Sequence, residues 1–450
     1  MKDFSNSVQL KVVEHGSADR TVIEGISLAE EPIQVIPIQR NSLSPQKNFN
    51  LLTQVLDLFV GPGGDPALAK PLVADGGQTA VLISLSPTEE LTSSLARDGY
   101  THVHRFIVLP SRGAPRLLLP ESDPGTTIAG TQVYAPYKRT SRIMKGALLR
   151  VIRTGWSGWI RRKALVASKE VLPLERLVTE ITGETNPIFS LSLGTQAAVR
   201  KLTVQVMRPR GEILGYIKLP LTGTAAKRVR HEAAILERLT LFPALHPQIP
   251  RLLYHGPWNE AYVLFQSPVV GEPGPTSFAR MHEEFLDTLR TIQPTKRRGQ
   301  NLIDEVGSAW GKVSTQLGAR WQALAREVLH RAARTVNDLM LPCGVMHGDF
   351  TPWNTRTRDQ RLILFDWESA EWEAPLGWDA FHFHVQTERL LNKRSGCDIT
   401  SQGNGANGAL YLLYLLNSVA QYVEEENRAA ISHREQLIIT QLSKEGVSVQ

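Results

Sequence analysis

Residues 345–369 read VMHGDFTPWNTRTRDQRLILFDWES. Two aspartates and an asparagine, all poor core residues, surround one turn and one short apolar run. Asn354 follows Asp349 by five positions, and Asp366 ends the run LILF. Gly348 permits unusual dihedrals and Pro352 cannot sit inside a helix, so 347–354 reads as a structured loop. Such a loop can turn Asp349 and Asn354 toward one point. LILF reads as a strand that returns Asp366 to the same neighbourhood. Two carboxylates and an amide oxygen are hard ligands of the kind that suit Mg²⁺ bound together with phosphates.

The rest of the chain sets the frame. A length of 450 residues implies about two to four domains. An apolar fraction of 42% is ordinary for a globular protein. No run reaches the ~18 apolar residues of a membrane helix, and 408–416 (GALYLLYLL) reads as a buried helix. The N-terminal residues lack the apolar core of a signal peptide. Only Cys343 and Cys397 occur, so no disulfide framework is implied, and a cytoplasmic protein is the expectation.

The formal charge is +6, and it is unevenly placed. From Lys138 to Lys169 there are Lys138, Arg139, Arg142, Lys145, Arg150, Arg153, Arg161, Arg162, Lys163 and Lys169, with no Asp or Glu. Ile143, Leu148, Leu149, Val151, Ile152, Trp156, Trp159 and Ile160 are interleaved with them. One reading is an amphipathic helix on the inner face of an anionic membrane. The other is a linker helix packed on its own domain with solvated arginines. The second is preferred, because Gly155 and Gly158 weaken a continuous helix. No specific nucleic-acid partner is implied, and the oligomeric state is not encoded.

Residues 1–135 mix strand-like runs (33–38, 80–86, 103–110, 115–120) with helix-like ones (48–59, 87–100), as in a small α/β domain of unread activity. Residues 136–169 form the basic amphipathic linker. From 170, three short strands follow one another (189–194, 200–207, 211–219), then a helix over 225–242 and two more strands (251–256, 261–266). From about 275 the pattern is mostly helical. Its clearest case is 321–340, with Trp321, Leu324, Val328, Ala332, Val336 and Leu339 on one stripe.

The spacing H-G-D-F-x-P-x-N, then a strand and D-W-E, resembles the aminoglycoside phosphotransferase and choline kinase family, which has a protein-kinase-like fold. The likeness spans roughly 170–450. It implies an α+β fold of two lobes, with an antiparallel-sheet lobe at 170–270 and a helical lobe at 271–450, preceded here by the smaller α/β domain. It implies transfer of the γ-phosphoryl group of ATP, with Mg²⁺, to a hydroxyl of a small molecule: a sugar, amino alcohol or aminoglycoside-like compound. Asp349 then matches the catalytic base, and His347 the histidine that braces its loop. Asn354 and Asp366 match the metal ligands, and Asp379 a buttress of the second lobe. Lys218 on the third strand and Glu232 on the next helix match the pair that holds phosphates. Gln266 falls in the segment FQSPVVGEP (265–273), where adenine is expected. Gly194 is the single glycine of the expected phosphate-covering turn, 190-SLSLGTQAAVR-200, which departs from a glycine-rich loop. That departure motivates the alternative, a catalytically weak kinase-like module that binds nucleotide in a regulatory or scaffold role.

Other features read as decoys. GNGANG at 403–408 has no strand before it, so it is a connection and not a dinucleotide site. The pairs His102/His104 and His382/His384 lack a third ligand and read as structural. Glu368 reads equally as a neighbour of the metal ligands or as a surface residue.

Overall fold

The structure is a computed structural model that describes residues 10–14, 21–25, 81–84, 89–110, 115–136, 139–155, 163–194, 199–258, 261–391 and 405–444. The strand expected at 33–38 and the helix expected at 48–59 lie outside these residues. β1 (Leu10–Glu14) and β2 (Thr21–Gly25) form an antiparallel hairpin.

Nine strands form one sheet. They are β3 (Val81–Ser84), β4 (His102–Leu109), β5 (Leu117–Pro120), β6 (Lys163–Ser168), β7 (Ile188–Ser192), β8 (Lys201–Met207), β9 (Ile213–Pro220), β10 (Leu252–Trp258) and β11 (Ala261–Gln266). Their order is β10-β11-β9-β8-β7-β5-β4-β6-β3, antiparallel at every pairing.

Both faces are covered by helices of the same lobe: α1 (Glu89–Arg97), α2 (Pro124–Gly130), α3 (Arg139–Arg153), α4 (Pro173–Thr182) and α5 (Gly223–Leu239). Local chemistry starts and stops them. Pro124 follows Asp123, whose Oδ1 accepts from the Thr126 amide at 3.1 Å. Pro173 opens α4 and Gly183, at φ +74°, closes it. Thr222 caps α5 through the Ala225 amide at 3.1 Å.

Alternation along the strands separates two cores. Phe106, Val108, Leu118, Ala164, Val166, Phe189, Leu191, Val204 and Ile217 meet Leu174, Leu177 and Val178 of α4. On the opposite face Ile107 and Leu119 meet Ile152 and Leu148 of α3, and Leu165 and Ala167 meet Leu95 of α1. Each such side chain contributes about 1.5–3 kcal/mol by leaving water.

This sheet runs across the expected boundaries at 135 and 170. Strands β3–β6 continue the sheet of the first lobe, so the described strands of 81–168 extend that lobe, while β1 and β2 pair only with each other among the described residues. Residues 163–168, assigned to the basic linker, form β6 between β4 and β3. β6 is apolar on both faces, and its basic neighbours Arg161, Arg162, Lys163 and Lys169 hid that period. Within 139–153 the packed-helix reading holds. α3 seats Leu148 and Ile152 inward, while Ile143 and Met144 remain exposed. Among the described residues no helix is long and apolar enough to cross a membrane.

The second lobe is mostly helical. It comprises β12 (Glu272–Pro273), α6 (Arg280–Thr291), β13 (Thr295–Arg298), α7 (Gly299–Val313), α8 (Ala319–Val336), β14 (Met340–Met346), β15 (Thr355–Arg358), β16 (Arg361–Leu364), β17 (Glu371–Pro375), α9 (Trp378–Leu391), α10 (Ala406–Glu424) and α11 (Arg428–Lys444). α7, α8, α10 and α11 pack around Leu412, Leu413, Leu416 and Val419. Two small sheets, β12-β15-β16 and β13-β14-β17, carry the loops that face the first lobe. The chain therefore has a two-lobed α+β architecture, an antiparallel-sheet lobe followed by a mostly helical one, as the resemblance implied.

Candidate active site

Three elements converge between the lobes. Lys218, on β9, donates to Glu232 of α5 at 2.5 and 2.7 Å. The same ammonium reaches Asp366 Oδ1 at 2.7 Å, across 148 positions of sequence. Glu232 is fully buried and also accepts from the Trp367 amide at 3.2 Å, which ties α5 to the turn after β16. Asp366 sits at φ +72°, a conformation unusual for a residue with a side chain and one that aims its carboxylate back across the cleft.

A second lysine joins them. Lys201, the first residue of β8, lies 2.8 Å from Asp366 Oδ1 and 2.5 Å from Glu368. Burial alone would raise the Asp366 carboxyl. The Lys201 and Lys218 ammoniums outweigh it and hold the group far below the usual carboxylate range. Burial opposes charge on Lys201, but Asp366 and Glu368 dominate and raise its pKa. Carboxylate oxygens of Glu232, Asp366 and Glu368 lie within 4.8 Å of one another. Among the described residues no hydrogen bond reaches Asp366 Oδ2.

The loop 347–354 follows β14. Asn354 Nδ2 donates to Asp349 at its carbonyl (3.0 Å) and at Oδ2 (2.8 Å), which leaves Asn354 Oδ1 as an outward acceptor. The Phe365 amide bonds the Asn354 carbonyl at 3.1 Å, so the loop is fastened to the residue before Asp366. His347 braces both sides: Nδ1 accepts from the Asp349 amide at 3.2 Å, and Nε2 faces the Phe365 carbonyl at 3.2 Å. Burial lowers its pKa to about 4, so the ring is neutral near pH 7 and these partners assign Nε2–H. Asp379, at the start of α9, accepts from the His347 and Gly348 amides at 2.8 and 3.0 Å, the expected buttress. Burial raises the Asp379 carboxyl to about 6 despite those two bonds. Only glycine fits at 348: φ is +79°, and a Cβ would lie 2.0 Å from the Ser369 carbonyl oxygen.

Two expected cofactor residues stand apart from the carboxylates. Gly194 turns the chain from β7 at φ +59°, where a Cβ would meet the Lys201 carbonyl at 2.8 Å. Residues 195–198 of its turn lie outside the described residues. Gln266 ends β11 opposite Tyr216, buried, with its Oε1 lacking a partner among the described residues.

Two site residues escaped the sequence reading. Lys201 opens β8 with nothing in the surrounding sequence to set it apart. His382, read as structural, places Nε2 3.0 Å from Asp349 Oδ1, while Nδ1 faces the Tyr414 hydroxyl at 3.1 Å. Beside it a small cavity of about 40 Å³ is lined by Gly348, Ser369, Trp378, His382, Tyr414 and Asn417. The other histidine pair is structural: His102 and His104 both bind Glu175, at 2.9 and 2.8 Å.

No family model and no curated protein matches the chain. Solved structures do resemble it. A thermostable mutant of an aminoglycoside phosphotransferase, in its apo form, aligns at 15% identity and a TM-score of 0.42, over 61% of this chain and 100% of that one. A spectinomycin phosphotransferase in complex with ADP and spectinomycin aligns at 11% identity and 0.37, over 61% and 98%. A choline/ethanolamine kinase family protein from Mesorhizobium loti aligns at 16% identity and 0.37, over 60% of this chain and 93% of that one.

Proposed function

We propose that the chain is an ATP-dependent phosphotransferase that moves a γ-phosphoryl group to a hydroxyl of a small molecule. The observation that carries this reading is the convergence of Lys218, Glu232 and Asp366, drawn from β9, α5 and the turn after β16, opposite Asp349 and Asn354. Lys218 and Lys201 present ammonium groups to phosphate oxygens, and Glu232 fixes Lys218. The donor set fits Mg²⁺: the carboxylates of Asp366, Glu368 and Glu232 gather hard oxygens within 4.8 Å of one another, and Asn354 Oδ1 is a further hard oxygen on the loop fastened to Phe365. Asp366 and Asn354 would hold such an ion, which would supply positive charge to offset the negative charge that develops during transfer.

Asp349 accepts the acceptor hydroxyl's proton as that oxygen attacks phosphorus in line with the leaving ADP oxygen. His382 and Asn354 hold the Asp349 carboxylate in place, one on each oxygen. General-base help of this kind is worth ~10²–10⁴-fold. The cavity beside His382, about 40 Å³, marks the side from which the hydroxyl end of a sugar, amino alcohol or aminoglycoside-like compound would approach Asp349, the rest of the compound lying outside it.

ADP release with Mg²⁺-ATP across a panel of those compounds tests the reading. Acceptor-dependent turnover supports it. Nucleotide binding without turnover on any acceptor favours the regulatory alternative, for which the single glycine of the 190–200 turn speaks.

A further inference from the structure

Four cross-strand neighbours form a row across the sheet: Ser190, Gln205, Tyr216 and Gln266. The adjacent row holds Thr203, Lys218 and Leu264. Alternation places Tyr216 on the same face as Lys218, the cleft face, about 7 Å further along the strand. A nucleoside triphosphate with its phosphates at Lys218 must therefore lay its base under the Ser190–Gln266 row, where β11 hands the chain to the second lobe.

The β7–β8 part of that row, Ser190 and Gln205, is already covered by the chain itself. Gln205 Nε2 donates to the Ala129 carbonyl at 2.8 Å, and Ser190 Oγ donates to the Gly130 carbonyl at 2.8 Å. Both carbonyls belong to the end of α2. Gly211, in the turn between β8 and β9, approaches so closely that a Cβ there would lie 2.9 Å from Ala129 Cβ and 3.3 Å from Thr126 Cα. The 3-10 turn after α2, Thr131–Val133, is held from behind by Lys145, which donates to the Thr131 and Tyr134 carbonyls at 2.8 and 2.7 Å.

The contact is closely packed but poorly satisfied. Among the described residues six buried side-chain polar atoms lack a hydrogen-bond partner. Three of them, Thr126 Oγ1, Gln205 Oε1 and Gln266 Oε1, lie on α2 or on the row that it partly covers. Buried orphans are costly and uncommon, and their gathering here marks a closed state that a better-matched occupant can displace. A purine, with ring nitrogens and an exocyclic amine or carbonyl, offers both donors and acceptors to the Gln266 amide, whereas Gln205 serves here as the latch of α2.

We propose that α2 and the 3-10 turn after it form an intramolecular lid on the base end of the cleft, and that a nucleoside triphosphate enters by displacing them. The lid rests on the phosphotransferase reading for its ligand. Inorganic triphosphate, which has no base, needs only the lysine end and is indifferent to the lid.

The test compares the whole wild-type chain with the double variant Ser190→Ala/Gln205→Ala, which removes the two bonds that hold the lid. Calorimetry with Mg²⁺ measures binding of a non-hydrolysable ATP analogue and of inorganic triphosphate. Hydrogen exchange follows residues 124–133. The lid predicts about tenfold tighter analogue binding in the variant, unchanged triphosphate binding, and faster exchange over 124–133 when wild type binds the analogue. If the variant does not fold, exchange in wild type decides alone. An analogue that binds wild type without raising exchange over 124–133 overturns the lid and leaves the phosphotransferase reading standing. An analogue that binds neither protein overturns the nucleotide reading and the lid with it.

Discussion

Lys201 Nζ lies 2.8 Å from Asp366 Oδ1, the same oxygen that Lys218 holds at 2.7 Å. One carboxylate oxygen is thus shared by two ammoniums from neighbouring strands. The two lysines differ in what else they touch. Lys218 is buried against Glu232, whereas Lys201 is partly exposed and turns to Glu368. Lys218→Met should therefore lower kcat/KM by about 10²–10³-fold, the loss typical of one preorganised charge-stabilising group. Lys201→Met should cost about tenfold, because Lys218 still holds the same oxygen. Steady-state kinetics checks both, and a Lys201→Met enzyme weaker than Lys218→Met would reverse the assigned order.

Glu232 is a stability residue as well as a positioning one. Glu232→Ala leaves the Lys218 ammonium beside a void with only Asp366 as partner. Breaking a buried pair from one side costs about 3–5 kcal/mol. Urea denaturation should show a loss of that size. A loss under about 1 kcal/mol would mean that the pair is solvated and not the buried contact described here.

Gly348→Ala tests the loop backbone. A methyl group at φ +79° would collide with the Ser369 carbonyl, which sits in the turn between Asp366 and β17. The substitution should destabilise the chain by more than about 3 kcal/mol or prevent soluble expression, in the range reserved for backbone strain. Near-normal stability would show that the 347–354 loop is looser than its hydrogen bonds indicate.

Two buried histidines set a pH dependence. Burial lowers His282 and His347 to about 4 in the folded chain, against ~6.5 in an unfolded one. Depressed values mean that the unfolded chain takes up protons first as pH falls. The stability they contribute is complete above about 6.5 and is lost on descending toward 4, by at most ~3 kcal/mol for each. Burial holds the Asp379 and Glu371 carboxyls up, at about 6 and about 7, and these groups gain stability over the same descent, so the histidine share is read as a difference between proteins. Between pH 7.5 and pH 5 the urea midpoint of His282→Gln should fall less, or rise more, than that of wild type. An identical pH dependence in the two proteins would contradict the buried, neutral assignment of His282.

What could be read in advance follows from how local the signal is. Asp349, Asn354 and Asp366 lie within one loop and one hairpin, so their spacing alone expresses their geometry. Lys218 and Glu232 could be placed because strand order locates them. Lys201 could not, because its meaning depends on the register of β8 against β9, which sets Lys201 opposite Pro220 and level with Asp366. His382 could not, because only the rotation of α9 about Asp379 shows which side chain meets Asp349. β6 was lost among basic residues, and with it the continuity of the sheet from β7 to β3. α2 has seven residues and no amphipathic period, so nothing in PGTTIAG announces that it lies across the cleft.

The most direct measurement is acceptor-dependent phosphoryl transfer by Asp349→Asn, alongside its affinity for Mg²⁺-ATP. The variant keeps the shape of the side chain and one accepting oxygen, for the Asn354 amide, but cannot accept a proton. The account predicts turnover reduced by about 10²–10⁴-fold with nucleotide affinity preserved. Turnover that survives the substitution undiminished would contradict it.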